Sequence, residues 1–139
     1  MSDTVRFGVS LSLELLDQFD QLIKKLGYDN RSEAVRDLIR QKLVEEEWEA
    51  PDRQTFAIVS LVYNHHSMSL PSRLTELQHE SYAQFIGSFH VHVDKSNCLE
   101  IIVMRGKGKD LRALGEKIIA LKGVKYGTLN MGTSGKKIH

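Results

Sequence analysis

The stretch Arg6-Phe7-Gly8-Val9-Ser10-Leu11 limits most strongly how this chain can fold. Its residues alternate, with Phe7, Val9 and Leu11 on one side of an extended backbone and Arg6, Gly8 and Ser10 on the other. The next residues read as helical, so this strand has no neighbour to pair with. A lone strand is unstable, and the expected partner is the same strand of a second copy of the chain. Ser12 is placed as the N-cap of a helix over about 13–26, whose apolar face is Leu15, Leu16, Phe19, Leu22, Ile23 and Leu26. Gly27 stands at the C-cap position, Tyr28-Asp29 makes the turn, and Asn30 caps a second helix with Glu33 completing a capping box. Ala34, Val35, Leu38, Ile39, Leu43 and Val44 form the apolar face of that helix. One strand and two helices in residues 1–47 cannot enclose a core alone, so an intertwined dimer is expected.

The run Glu45-Glu46-Glu47-Trp48-Glu49-Ala50-Pro51-Asp52 breaks the pattern, and a linker is expected over 48–53. The second domain, 54–133, reads strand, helix, strand, strand, helix, strand. Phe56–Tyr63 is apolar on both sides, which predicts cover on both faces. His65–Ser69 is a loop, and Pro71 falls in the first turn of a helix over 70–81. Strands Ile86–Asp94 and Cys98–Met104 are joined by Lys95-Ser96-Asn97. Gly106-Lys107-Gly108 leads into a helix over 109–121, Lys122-Gly123 ends it, and Val124–Met131 is the last strand. This order is the ferredoxin-like βαββαβ arrangement, so the whole chain is of the α+β class. The polar tail 134–139 is expected to be loose.

The chemistry-bearing residues cluster in the middle hairpin. His90 and His92 share one face of their strand, and the chain's one cysteine, Cys98, comes six residues later. Phe89, Val91 and Val93 are expected to pack under the helices, as are Leu99, Ile101 and Val103 of the next strand. His90, His92, Cys98 and Glu100 would then meet on the helix-free face. At about 100° per residue, His79 lies opposite the Leu70, Leu74 and Leu77 stripe of its helix. It therefore points away from its own sheet, toward a neighbouring subunit. Three imidazoles and a thiolate suit Zn, Cu or Ni. Four protein ligands leave no open position for a substrate, which points to a sensor or structural site. Glu100 is placed to steady a ligating histidine. His65 and His66 read as ordinary loop residues and His139 as tail. No nucleophile–base arrangement is present, so an enzyme is not expected.

Charge bears on the first domain. The chain has 139 residues and a net charge of +1, and its first 44 residues hold seven Lys/Arg and seven Asp/Glu. Nucleic-acid binding would therefore rest on a few placed groups, not on bulk charge. A two-stranded ribbon fits the DNA major groove, where arginine reads guanine bidentately and hydroxyls bond to base edges. That gives Arg6, Gly8 and Ser10 a role. Asn30-Arg31-Ser32, at the start of the second helix, offers amides and a cation to a phosphate. Arg36 and Arg40 read as a solvated helix face. No apolar run reaches the roughly 18 residues of a membrane helix. No secretory signal is seen and one cysteine forms no internal disulfide, so the cytoplasm is the expected compartment.

Arg6–Val44, with Gly27-Tyr28-Asp29-Asn30-Arg31-Ser32-Glu33-Ala34-Val35-Arg36-Asp37, resembles a ribbon-helix-helix DNA-binding domain. The remainder, with Gln78-His79, His90-Val91-His92-Val93-Asp94 and Asn97-Cys98-Leu99-Glu100, resembles the ACT-type regulatory domain of the NikR family of nickel-responsive transcriptional regulators. The resemblance runs from about Arg6 to Met131. It implies a homotetramer, a dimer of ribbon-helix-helix dimers, with one Ni(II) per subunit. The metal would be held square-planar by His90, His92 and Cys98 of one subunit and His79 of another, with Gln78 and Glu100 supporting the ligands. It further implies binding to a palindromic double-stranded operator and repression of nickel-uptake genes. Base contacts fall on Arg6, Gly8 and Ser10. Gly8 departs from the family pattern, which carries a hydroxyl residue there. A cation between the domains would fall near Glu33 and Asp37. Two other readings stand beside this one: a metal storage or chaperone protein using the same ligands, and an antitoxin-like regulator with another effector.

Overall fold

Helix α1, Leu13–Lys25, starts where Ser12 Oγ accepts a hydrogen bond from the Leu15 amide at 3.2 Å. It stops at Gly27, whose φ of 88° lets the chain turn left-handed while the Tyr28 amide donates to the Ile23 carbonyl. Asn30 Oδ1 accepts from the Glu33 amide at 2.9 Å and opens α2, Arg31–Glu49. The computed structural model describes residues 3–64, 66 and 70–139. It separates into two compact units, Met1–Ile39 and Arg40–His139, with the boundary inside α2.

In the first unit, residues 3–12 form no strand. A strand needs a ladder partner, and a single chain offers none. Phe7 and Val9 are exposed, and along α1 only Ile23 is buried, while Leu15, Leu22 and Leu26 are more than half exposed. The apolar side of this unit is uncovered within one chain.

The second unit contains β1, Gln54–Asn64; α3, Leu70–Glu80; β2, Gln84–His92; β3, Asn97–Lys107; α4, Gly108–Ile119; and β4, Val124–Met131. The four strands are antiparallel in the order β2-β3-β1-β4. Leu70 and Leu74 of α3 and Leu111, Leu114 and Ile118 of α4 close over Ala57, Val59 and Leu61 of β1 and Ile102 and Met104 of β3.

This arrangement reverses the expected faces of the hairpin. Residues directly opposite in an antiparallel pair share a face. Tyr63 stands opposite Cys98, Leu61 opposite Glu100, Val59 opposite Ile102 and Ala57 opposite Met104. Since the helices cover the Ala57–Tyr63 side, Cys98 and Glu100 lie on the helix-bearing face. Leu99, Ile101 and Val103 face the other way. In β2, His90 pairs with Glu100 and His92 with Cys98, so both histidines join the helix side. Phe89, expected beneath the helices, is 66% exposed, and Val93 is exposed as well. The cover expected on both faces of β1 is also absent in the single chain, where Ile58 is exposed and Phe56 and Val62 are half-buried.

Two further expectations change at the ends of this unit. Trp48, placed in a linker by its acidic surroundings, belongs to α2 and is only 3% exposed within the core. Its Nε1–H donates to the Gly132 carbonyl at 3.0 Å, and the Thr55 hydroxyl donates to the same oxygen at 2.9 Å. The expected loose tail is held at its end, where Arg40 Nε donates to the His139 carbonyl at 3.1 Å, and just before it the Thr133 hydroxyl donates to the Glu47 carboxylate at 3.0 Å. α4 meets this corner through Gly108, where a Cβ would collide with the Trp48 carbonyl. Gly108→Ala is therefore expected to destabilise the protein by about 1–3 kcal/mol, as overpacked interiors do. Urea unfolding followed by fluorescence of Trp48, the single tryptophan, measures it.

Candidate metal centre

The hairpin that carries the centre is closed by its own turn. The Asp94 carboxylate accepts from the Ser96 and Asn97 amides, both at 2.8 Å, and from Asn97 Nδ2. These bonds hold the Asp94 carboxyl below its ordinary range. Lys125 Nζ of β4 reaches Asn97 Oδ1 at 2.6 Å, so the turn is tied across the sheet. With the turn set, His92 lies beside Cys98, its Nδ1 3.6 Å from Sγ. The His90 and His92 rings are 5.0 Å apart. One ligand atom each from His90, His92 and Cys98 fall within 4.8 Å of one another, and among the described residues no other three His, Cys, Asp or Glu side chains form such a group.

Cys98 is fully buried. Burial pushes its thiol up, and the Glu100 and Asp94 charges add to the effect. The neighbour that the sequence did not reveal is Tyr63. Its hydroxyl lies 3.3 Å from His90 Nδ1, and the rings meet edge-on at 77°. Burial, with the Glu100 and Cys98 charges behind it, pushes the Tyr63 hydroxyl up to about 12, so it stays protonated at neutral pH. Glu100 Oε1 is 4.0 Å from the same His90 nitrogen. Two imidazoles and a thiolate converging in this way fit a borderline divalent cation of the Zn, Cu or Ni kind.

The other expected ligands lie elsewhere. Leu70 and Leu74 are the buried stripe of α3, while Gln78 and His79 are exposed and outside the cluster. His66 is exposed, with its amide donating to Asn64 Oδ1 at 2.9 Å; His65 falls outside the described residues.

In the first unit Arg6, Gly8, Ser10, Asn30 and Ser32 are exposed. Arg31, expected to offer a cation to a phosphate, is exposed and paired within the chain. Its Nε and Nη2 each donate to an Asp20 oxygen at 2.8 Å, and the fork holds the Asp20 carboxyl below its usual range. Asp37 accepts from the Tyr28 hydroxyl at 2.7 Å, and Glu33 is exposed one turn earlier.

Two family models match the chain. Residues 56–132 match the NikR C terminal nickel binding domain, and residues 5–46 match the ribbon-helix-helix protein, copG family. The chain belongs to the NikR family. A relative from Geotalea uraniireducens is 50% identical over 139 residues and one from Geobacter metallireducens 49%, each covering 100% of both chains. A third, from Nitratidesulfovibrio vulgaris, is 49% identical over 138 residues and 99% of each. All three are named as nickel-responsive regulators. A solved ACT domain from the GTP pyrophosphokinase of Chlorobium tepidum is 12% identical, covers 55% of this chain and 99% of its own, and has a TM-score of 0.45. In this family a ribbon-helix-helix domain precedes a nickel-binding domain, which here has the element order βαββαβ, and the relatives are named as regulators. No helix among the described residues is long and apolar enough to cross a membrane.

Ligation by Cys98 requires the thiolate, whereas the raised thiol is protonated at neutral pH. Metal uptake must therefore release a proton, and apparent affinity falls as pH falls, by about tenfold per unit for each proton released. Titration of weakly buffered protein with Ni(II), followed by a pH indicator, measures the release. Cys98→Ser is expected to lose both the proton release and stoichiometric binding while keeping the native circular dichroism.

Proposed function

We propose that this protein is a nickel-responsive transcriptional regulator that binds a palindromic operator when loaded with one Ni(II) per subunit, and so represses nickel-uptake genes. The observation that carries the reading is the convergence of His90, His92 and Cys98 in a chain whose other half matches a ribbon-helix-helix domain. These three side chains hold the metal from one subunit. The exposed His79 on α3 supplies the fourth donor to the site of a neighbouring subunit in a cytoplasmic homotetramer, with Gln78 beside it. Three imidazoles and a thiolate would hold Ni(II), a donor set that suits a borderline divalent cation. The protein's part is to bring donors of two subunits together, so that the loaded state favours one arrangement of the assembly. Regulation requires that this arrangement also be the one that reaches both operator half-sites.

The N-terminal strand pairs with that of a second chain and enters the major groove, with Arg6 and Ser10 reading base edges. Gly8 offers no hydroxyl, so each strand makes one contact fewer at that position. The α2 start meets the DNA backbone through its amides, since Arg31 is engaged by Asp20. Glu33 and Asp37, one turn apart on α2, are the acceptors for a second cation.

Gel shifts with a family-type operator, with and without Ni(II), test the reading. A protein that binds Ni(II) but no DNA in either state overturns it. His79→Ala is expected to stay folded and oligomeric, to bind Ni(II) more weakly and to lose nickel-stimulated operator binding. Retained nickel-dependent footprints in that variant rule out the two-subunit site. Arg6→Ala is expected to cost about 1–3 kcal/mol of discrimination per lost bidentate base contact. Its nickel affinity, measured by chelator competition, should equal that of the parent.

A further inference from the structure

The unusual feature of the centre is what surrounds one nitrogen of His90. Nδ1 has the Tyr63 hydroxyl at 3.3 Å and a Glu100 carboxylate oxygen at 4.0 Å. Tyr63 is 5% exposed and the Glu100 side chain 15%, so both partners are held in place against the His90 ring, whose own side chain is 39% exposed. The pairings explain the grouping. β3 places Glu100 opposite His90 on β2 and Cys98 opposite Tyr63 on β1, so both groups converge on one imidazole.

We propose that Tyr63, backed by Glu100, selects the tautomer of His90, so that Nδ1 carries the proton and Nε2 is the nitrogen left to donate to the metal. The Glu100 carboxylate sets this direction, because the Tyr63 hydroxyl alone could serve either tautomer. An ionised carboxylate only accepts, while a phenol both donates and accepts. A carboxylate beside Nδ1 favours a proton there. With Nδ1–H donating to the Tyr63 oxygen, the tyrosine O–H is free to turn toward Glu100. A neutral imidazole holds one proton, so Nε2 keeps its lone pair. The hydroxyl also occupies the approach to Nδ1, which closes that nitrogen to a cation. Tyr63 is thus a positioning residue acting through His90, and the inference rests on the metal-binding reading above.

Tyr63→Phe in the full-length protein is the test, because it keeps the ring and its packing while removing the oxygen. Two-bond proton–nitrogen NMR of the metal-free protein reads the His90 tautomer, and chelator competition reads Ni(II) affinity. The parent is expected to hold the Nδ1–H form. The variant is expected to shift toward Nε2–H and to bind Ni(II) about tenfold or more weakly, with an unchanged melting temperature, as for other partners of metal-ligating histidines. Glu100→Gln should shift the tautomer in the same direction. An Nε2–H form in the parent, an unchanged tautomer in Tyr63→Phe, or an affinity within about twofold of the parent each overturns the proposal. If the parent itself takes up no Ni(II), the regulator reading fails, while the tautomer measurement still decides what Tyr63 and Glu100 do to His90.

Discussion

The antiparallel register of β3 between β1 and β2 is the constraint on which the second unit depends. β3 pairs along its whole length with β1, from Asn97 opposite Asn64 to Lys107 opposite Gln54. On its other side it carries His92 opposite Cys98. A slip of one residue on either side moves every side chain of a strand to the opposite face. It would bring Leu99 to where Cys98 stands and remove Tyr63 and Glu100 from His90. The core and the metal centre are two outcomes of the same pairing. Ala57, Val59, Ile102 and Met104 lie under the helices, and the same face continues past the helices to Tyr63, Cys98 and the histidines.

That continuity explains how a buried thiol and two exposed imidazoles share one site. Cys98 sits at the edge of the packed core, where burial holds the thiol neutral. His90 and His92 belong to the edge strand β2, whose side chains are less covered. The turn closed by Asp94, Asn97 and Lys125 joins the two environments at a fixed distance. A cluster built in this way presents preformed donors on an accessible rim, which suits a site that a second subunit completes.

Both units leave apolar surface open. In the first it is Phe7, Val9 and the exposed leucines of α1; in the second it is Ile58, Phe89, Val93 and Tyr126 on and beside the helix-free side of the sheet. Apolar surface of this extent is buried by association in water. This is the physical content of the proposed assembly. The extended segment at residues 6–11 lacks a ladder, and the helices of the first unit lack a facing core.

Local features were readable from the sequence because their causes are local. Ser12, Gly27 and Asn30 bound the first two helices through bonds to amides a few residues away, and the expected last strand coincides with β4, Val124–Met131. His90, His92 and Cys98 were identifiable as one group because a short hairpin must bring them together. Their face was not identifiable. β3 has apolar side chains on both sides, Leu99, Ile101 and Val103 against Ile102 and Met104, so alternation cannot choose between them. The choice is made by pairing with a strand more than thirty residues earlier. The same non-local cause hid Tyr63 at His90, Trp48 in the core beneath an acidic run, and Asp20 on Arg31. The sequence by itself singled out the candidate ligands and the caps of the first two helices. Only the tertiary structure decided which face they share and which neighbours tune them, because strand register and side-chain pairing are settled by contacts between distant parts of the chain.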